Sequence, residues 1–261
     1  MAVFFMIGIM ASANTARADD LAKASQNPVA DLISVPFENN ATFNNGPDED
    51  AYVNILNIKP VVPVHLNENW NLINRAIVPV IYQEELLPGQ GSQTGIGDIT
   101  YQGFISPAKP GKLIWGVGPT LVIPSGSSNR MSSNKFSLGP SVVLLTMPGN
   151  WVIGALAQNV WSVAGEEDSK SVNSFLFQYF INYNMKDGWY MSTTPTITAN
   201  WRAGSDDTWT VPFGGGIGRV FKIGKQPVNM RIQGLYNVER PTGAPDWTIQ
   251  AQVTLLFPKK K

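Results

Sequence analysis

The chain has few side chains that could act as a catalytic base or as a soft metal ligand. His65 is its only histidine, cysteine is absent, and no G-x-S-x-G segment occurs. A lipase active site needs a serine and histidine pair, and a protease active site needs histidine together with carboxylates. We therefore predict that the protein is not an enzyme and that it has no catalytic residues, no cofactor and no metal site.

Two polar segments have compositions that are also found in ligand-binding loops. Residues 89–98, GQGSQTGIGD, contain closely spaced glycines, but no strand-to-helix unit surrounds them, so a phosphate-binding loop is excluded. The acidic clusters PDED and EED could bind divalent cations through carboxylate oxygens, and we interpret them instead as solvated loop tips. Either interpretation gives a negatively charged mouth, which favours cations over anions.

The end of the chain, DWTIQAQVTLLFPKKK, alternates apolar and polar residues. In an extended chain, Trp247, Ile249 and Val253 lie on one face, while Gln250 and Gln252 lie on the other. A soluble sandwich strand has this pattern, with its apolar face in the core. A membrane barrel strand has it too, with the apolar face in lipid. The rest of the chain has to distinguish the two.

Eleven further segments share this period of two and are bounded by turn residues, whereas no segment has a convincing helical period. The sequence therefore predicts an all-β protein with about twelve strands. The predicted strands span residues 29–37, 52–66, 70–82, 98–106, 112–123, 136–147, 151–163, 172–185, 189–201, 209–222, 228–239 and 247–257.

The connections between these strands alternate in length. Short ones such as MPGN at 147–150 are tight-turn signals, and longer polar ones such as SGSSNRMSSN come between them. Acidic residues collect in the long connections, and lysines collect in the short ones and in the tail. Only 15% of the residues are charged, against about 25% in soluble domains. These patterns predict a transmembrane antiparallel up-and-down β-barrel of the bacterial outer membrane, with short periplasmic turns and longer extracellular loops.

Aromatic and proline residues add two expectations. Tryptophans at strand ends suit girdles at the two membrane interfaces, although strands favour aromatic residues in general. Prolines inside predicted strands remove ladder hydrogen bonds, so we expect local bulges there. These prolines are Pro60, Pro63, Pro79, Pro119, Pro140, Pro195 and Pro212.

The N-terminus has the pattern of a secretory signal. An apolar run from Ala2 to Met10 precedes an A-x-A site that ends at Ala18. This run is shorter than the roughly 20 residues that a membrane-spanning helix needs. We predict a signal peptide at 1–18, a short periplasmic N-terminal segment at 19–27, the outer-membrane barrel at 28–257 and a basic C-terminal tail at 258–261.

Polar residues on the inward face of the predicted strands are the candidates for a transport path. They are Lys59, Arg75, Asp98, Gln178, Asn182, Asn229, Arg231, Gln233 and Glu239. Gln158 and Arg219 lie on strands without a clear phase and stay unassigned. Barrels of about eight strands are filled by side chains and those of about sixteen hold an aqueous channel. For twelve strands, an open path and a closed polar network both remain possible.

Three segments carry a resemblance to a known family. They are TGIGDITYQGFI at 94–105, VPFGGGIGRVFKIGKQPVNMRIQGLYNVERP at 211–241 and the terminal WTIQAQVTLLFP. They resemble the bacterial outer-membrane family named for a "putative MetA pathway of phenol degradation", over nearly all of the chain from about Pro28 to Phe257. The resemblance implies an outer-membrane barrel linked to the uptake of small, hydrophobic or aromatic compounds, and it brings no catalytic motif.

Three functions stay open on the sequence. The first is passive uptake of such compounds by an outer-membrane channel or transporter. The alternatives are a closed structural or adhesive barrel and a soluble periplasmic β-barrel that binds a ligand. The expected partners are outer-membrane lipid, lipopolysaccharide, a small-molecule substrate and the barrel assembly machinery, for which Phe257 would be the C-terminal aromatic signal. Zero net charge and the lack of a basic stripe exclude nucleic acid.

Overall fold

The computed structural model describes residues 20–87 and 89–258. The predicted signal peptide at 1–18 and residues 259–261 of the predicted tail lie outside the described residues. Within the described ranges, the helical parts are one turn at residues 20–25 and two short 3-10 turns, Lys186–Gly188 and Ser205–Asp207. No helix in these ranges has the length and apolar character needed to cross a membrane.

Fifteen strands form one antiparallel sheet in the described part of the chain. They are β1 (Ile33–Asn45), β2 (Ala51–Ile58), β3 (Val61–His65), β4 (Trp70–Gln83), β5 (Gln93–Ile96), β6 (Ile99–Pro107), β7 (Leu113–Ile123), β8 (Lys135–Thr146), β9 (Trp151–Gly165), β10 (Asn173–Asn184), β11 (Trp189–Thr193), β12 (Thr196–Asn200), β13 (Trp209–Ile223), β14 (Gln226–Glu239) and β15 (Trp247–Phe257).

Three pairs of these strands are halves of one barrel strand. The strands β2 and β3 both pair with β1 and β4, β5 and β6 both pair with β4, and β11 and β12 both pair with β10 and β13. Twelve barrel strands result, and pairing of β1 with β15 closes the sheet. The predicted all-β, 12-stranded antiparallel barrel is confirmed.

The two faces of the barrel wall differ in chemistry as the alternation requires. On β14 and β15, Ile232 and Ile249 are 53% and 48% exposed on the outer face. Gln233 and Gln250 point the other way and are only 2% and 8% exposed. Because the apolar side chains face out and the polar ones face in, the wall is suited to lipid outside and a polar lumen inside.

Aromatic pairs lie at both ends of the barrel. At the short-turn end, the rings of Trp151 and Tyr183 have centroids 4.8 Å apart, and Trp70 contacts Trp115. At the long-loop end, Tyr236 and Trp247 are 4.8 Å apart, and Trp201 packs edge-on against Trp209. Two separate aromatic bands are therefore present, which is the arrangement expected of girdles at two membrane interfaces.

The first strand is placed differently from the prediction. We predicted a strand at 29–37, whereas β1 runs from Ile33 to Asn45 through the polar segment NNATFNN, which we had taken as part of a loop. The asparagines are accommodated by cross-strand pairing, since Asn39 Nδ2 donates to Asn54 Oδ1 at 2.8 Å and Asn54 Nδ2 donates back to Asn39 Oδ1 at 3.0 Å. Their amides are thus satisfied within the ladder.

The strand prolines coincide with interruptions of the ladder at four of the seven predicted positions. Pro60 separates β2 from β3, Pro195 separates β11 from β12, and a register shift falls between Val211 and Pro212. Pro79 lies opposite the break between β5 and β6, where the register against β4 shifts by one residue. The other three keep the register of their strands, and Pro119 lies directly opposite Pro140. The expected irregularities are therefore local, and the barrel stays closed around them.

Gly118 on β7 is required by a close approach between strands. A Cβ atom added there would lie 1.7 Å from the carbonyl oxygen of Gly103 on β6, whereas Gly234 on β14 has open space at this position. We expect Gly118→Ala to lower the free energy of unfolding by about 1–3 kcal/mol and Gly234→Ala to change it little. Urea titration of the folded barrel measures both values, and equal midpoints would contradict the predicted strain.

Candidate functional site in the barrel lumen

The N-terminal segment, which we define as residues 20–32, folds into the short-turn end of the barrel lumen. Ala22 is fully buried and Leu32 is 6% exposed. Both pack against the inward-facing side chains of Tyr190, Val220 and Leu256. We assigned residues 19–27 to a short periplasmic segment and did not predict that the described part of it would pack inside the barrel.

Polar contacts join the N-terminal segment to the barrel wall. Ser25 Oγ accepts a hydrogen bond from Asn229 Nδ2 at 2.9 Å, and Gln26 Nε2 donates to Asn184 Oδ1 at 2.9 Å. Lys23 Nζ donates to the carbonyl oxygen of Gly149 in the turn before β9 at 2.7 Å. The segment is therefore anchored to strands on several sides of the lumen.

Val29 fixes the segment to an apolar part of the lumen. It is 5% exposed and belongs to one buried cluster with side chains from five strands. Those side chains are Ile73, Phe104, Val143, Leu145, Val152, Leu156 and Phe180. One side of the lumen is thus apolar at this level, and burial of Val29 there stabilises the inward position of the segment.

A cluster of charged side chains lies on the other side of the lumen, from β14 through β1 to β4. Glu38 on β1 forms ion pairs with Lys59 and with Arg231, whose Nη2 lies 3.5 Å from Glu38 Oε2. The side chains of Glu38, Lys59 and Arg231 are only 8%, 13% and 12% exposed. Arg75 on β4 points into the same cavity. We call these four residues the luminal charge cluster.

The break between β2 and β3 positions the lysine of this cluster. Pro60 cannot donate a ladder hydrogen bond, so the strand is interrupted there, but β2 and β3 keep the same register against β1. The backbone N–H of Lys59 still donates to the carbonyl oxygen of Pro36 at 2.8 Å. This contact holds Lys59 beside β1, where its ammonium group reaches Glu38.

A network of amide side chains continues from the luminal charge cluster along the wall. Arg231 Nη2 donates to Gln250 Oε1 at 2.7 Å and to Gln252 Oε1 at 2.9 Å. Gln233 Nε2 also donates to Gln250 Oε1 at 2.8 Å, and Gln250 Nε2 donates to Asn40 Oδ1 at 2.7 Å. The polar lining therefore has a fixed arrangement, which limits how far individual side chains can move.

A cavity of about 130 Å³ lies between the N-terminal segment and the luminal charge cluster. Its lining combines the side chains of the luminal charge cluster with the apolar side chains of Leu32, Val61 and Phe180. A site of this kind can orient a small molecule by its polar end while an apolar body contacts the apolar side chains.

Six of the nine residues that we predicted for the lumen line this cavity. They are Lys59, Arg75, Gln178, Asn182, Asn229 and Arg231. Gln233 lies farther along β14 and belongs to the amide network, where it also accepts a hydrogen bond from Thr194 Oγ1 at 3.1 Å. Asp98 and Glu239 lie apart from the cavity, and Glu239 is exposed at the long-loop end of β14.

Asp98 holds the long loop at residues 124–134. Its carboxylate accepts hydrogen bonds from Ser132 Oγ at 2.7 Å, from the backbone N–H and the hydroxyl of Ser133 at 2.7 and 2.8 Å, and from the backbone N–H of Gly126 at 3.2 Å. One carboxylate thus fixes both ends of this loop segment.

Removal of this carboxylate should loosen the loop. We expect trypsin to cleave after Arg130 about tenfold faster in Asp98→Ala than in the unaltered protein, because the loop loses four hydrogen bonds to a charged acceptor. Glu239→Ala, which removes an exposed carboxylate at the same end of the barrel, is the control. Unchanged cleavage in Asp98→Ala would contradict this role.

Three lining features were missed by the sequence analysis. Glu38 falls one residue beyond the predicted end of the first strand, so its inward phase was not considered. Tyr190 on β11 points into the lumen, and its hydroxyl donates a hydrogen bond to Asn229 Oδ1 at 2.7 Å. Gln158, which was unassigned, points inward and accepts from Gln102 Nε2 at 2.6 Å and from Thr120 Oγ1 at 3.1 Å. Arg219, also unassigned, lies over the Trp189 ring at 5.0 Å.

The structure shows how the side chains that could bind a metal ion or act in catalysis are arranged. Among the described residues, no group of three or more histidine, aspartate or glutamate side chains is arranged to hold a metal ion. His65 lies at the short-turn end, where Nδ1 is 2.7 Å from Asn71 Oδ1 and Nε2 is 3.3 Å from Asp31 Oδ2. The imidazole is thus engaged by neighbouring polar groups at the short-turn rim of the barrel.

The chain and its fold both match known proteins. The family described as "Putative MetA-pathway of phenol degradation" matches residues 34–257. An outer membrane channel from Pseudomonas putida F1 has a similar structure, with a TM-score of 0.69, 15% sequence identity and coverage of 88% of this chain and 97% of that one. The NanC porin is also similar, with a TM-score of 0.51, 13% identity and coverage of 87% and 100%. No curated protein sequence matches the chain.

Proposed function

Because this chain belongs to the outer-membrane barrel family of the "Putative MetA-pathway of phenol degradation", we propose that it is a channel or transporter for passive uptake of small, hydrophobic or aromatic compounds across the bacterial outer membrane. The protein is a bacterial outer-membrane barrel of the porin-like kind. The observation that carries the proposal is the luminal cavity, which is lined by both charged and apolar side chains. The phenol in the family's name supports an aromatic substrate.

A passive route through this barrel has to pass the N-terminal segment. The segment occupies the short-turn end of the lumen, and Ala22 and Val29 bury apolar surface against opposite parts of the wall. We propose that the segment is the gate of the channel and that permeation requires it to move aside or leave. The mixture of few hydrogen bonds and small apolar contacts is suited to reversible displacement.

The second candidate is a closed structural or adhesive barrel. The inward position of the N-terminal segment favours it, because a permanently anchored segment would keep the lumen shut. Acidic residues at the long-loop end would then bind cations that are held by lipopolysaccharide. A soluble periplasmic binding protein is the weakest alternative, since the outer face is apolar between two aromatic bands.

Gel mobility and conductance distinguish these candidates. The folded barrel in detergent should migrate differently before and after heating, and the folded form should give ion-conducting steps in a planar bilayer. A heat-dependent shift without conductance would favour the closed barrel or a gated transporter of hydrophobic ligands. A water-soluble protein without the shift would contradict both membrane functions.

The remaining partners are also proposals. Outer-membrane lipid and lipopolysaccharide would contact the apolar outer face, and the barrel assembly machinery would recognise the terminal strand through Phe257, which is 41% exposed on that face. We propose that the protein has no catalytic activity and no cofactor, which the engagement of His65 at the short-turn rim supports.

A further inference from the structure

Positive charge exceeds negative charge around the luminal cavity. Three basic side chains, those of Lys59, Arg75 and Arg231, line the cavity, whereas Glu38 is the one carboxylate among the lining residues. We propose that this cavity binds the carboxylate group of a small organic acid that has an apolar body. The inference deepens the proposed function by naming the class of compound that the lumen accepts, and it rests on that function for the route by which the compound enters.

The pairing within the luminal charge cluster leaves one guanidinium available. Both oxygens of Glu38 are used, because Oε1 contacts Lys59 and Oε2 contacts Arg231. Among the described residues, no hydrogen bond or ion pair joins the side chain of Arg75, although it lines the cavity. A guanidinium presents parallel N–H donors that match the two oxygens of a carboxylate. Arg75 is therefore the residue that would bind the acid directly.

A second donor in the cluster also lacks a partner. Arg231 Nη2 donates to two glutamine side chains, but its Nε is buried without a hydrogen-bond acceptor among the described residues. Buried donors are usually satisfied, so an orphan donor beside a cavity indicates an acceptor that the protein itself does not supply. A bound carboxylate would supply an acceptor and would also balance part of the excess positive charge.

The other residues that line the cavity determine the size of the acid and the apolar character of its hydrocarbon part. Val61 pairs with Arg75 across β3 and β4, and Phe180 and Leu32 add apolar surface. A hydrated inorganic anion has no apolar surface to bury against these side chains, whereas the hydrocarbon part of an organic acid does. The volume of about 130 Å³ restricts the ligand to a small monocarboxylate.

The acidic long loops do not remove this preference. Their carboxylates lie at the long-loop mouth, where salt screens charges beyond about 10 Å at 0.1 M. They would slow the approach of an anion at low ionic strength, while the luminal charge cluster would set how tightly it binds.

Equilibrium dialysis of the folded full chain from residue 19 in detergent tests the site, with benzoate and benzyl alcohol as probes. The two probes share a ring and differ in the carboxylate. We expect benzoate to bind about tenfold more tightly than benzyl alcohol, and Arg75→Gln to lower the benzoate affinity about tenfold without changing that of benzyl alcohol. Arg202→Gln, which alters an exposed loop arginine, is the matched control and should change neither.

Two results would overturn the inference. One is equal affinity for benzoate and benzyl alcohol, and the other is benzoate binding that is the same in Arg75→Gln and Arg202→Gln. Displacement of benzoate by inorganic phosphate at equal concentration would also overturn it, because the apolar side chains would then contribute nothing. Heat-dependent gel mobility confirms that each variant is folded.

Conductance of the same preparations separates this inference from the proposed function. Benzoate binding without conductance, even after deletion of residues 20–30, would support the carboxylate site and contradict the channel. Conductance with no preference for benzoate would support the channel and contradict the carboxylate site. Both readouts use the same folded protein, so a failure of one is distinguishable from a failure of the other.

Discussion

Deletion of residues 20–30 should raise the single-channel conductance of the barrel several-fold, because this segment occupies the cross-section of the lumen at the short-turn end. The deletion leaves β1 intact, since that strand begins at Ile33. It removes the contacts of Ala22 and Val29 with the wall and the hydrogen bond between Ser25 and Asn229. Planar-bilayer recordings of the two proteins at the same salt concentration measure the difference.

A point variant tests the same role of the segment without the risk that the shortened barrel fails to fold. Val29→Asp places an unpaired carboxylate in the apolar cluster, where burial costs several kcal/mol, so the segment should leave the lumen while the barrel strands keep their sequence. Lys23→Gln, which changes only an exposed contact with Gly149, is the control. Conductance that stays the same in the deletion and in Val29→Asp would show that the segment does not obstruct the path.

Strand positions could be predicted closely because two-residue alternation, turn residues and terminal aromatics agree with one another. The predicted strand at 70–82 is β4 (Trp70–Gln83), and the predicted strand at 247–257 is β15. Agreement failed at β1, where asparagines that usually indicate a loop pair with each other across the ladder. Side-chain pairing between strands is a tertiary effect, and local composition does not contain it.

The residues that line the lumen could also be predicted in part, because the two-residue alternation shows which side chains of a strand point inward. The inward phase of a strand identifies Lys59, Arg75 and Arg231 as lumen residues, since each lies on a polar face. Phase does not reveal which of them pair, because Glu38, Lys59 and Arg231 come together only when β1 and β15 close the barrel. Asp98 had the right phase, but the chain leaves the ladder between β5 and β6, and its carboxylate turns to the loop.

The inward N-terminal segment had no sequence signal of its own. Its buried residues are Ala22, Val29 and Leu32, which are too few and too widely spaced to form a pattern that identifies a buried segment. Each is buried because a complementary surface exists on the inner wall, and that surface is assembled from strands far apart in the chain. Such a contact depends on the complete barrel, so a reading of the local sequence assigns the segment to the periplasm.

Glu38→Gln should lower the free energy of unfolding by about 3–5 kcal/mol, because it removes the carboxylate that pairs with two buried cations. The exposed fractions of these side chains are small, so water cannot take over the role of the carboxylate. Urea titration of the barrel in lipid vesicles measures the loss. Glu239→Gln removes an exposed carboxylate on the same wall and should leave the unfolding midpoint nearly unchanged.

A double variant tests whether the loss comes from unpaired charge. Adding Lys59→Met to Glu38→Gln removes one uncompensated cation and should recover a large part of the stability, since neutral replacement of a buried ion pair is often nearly neutral. The single variant Glu38→Gln should also bind benzoate more tightly, because the cavity gains one net positive charge. Lower stability together with tighter anion binding would separate the structural role of Glu38 from its effect on the ligand. A loss of both would mean that Glu38 mainly holds the shape of the cavity.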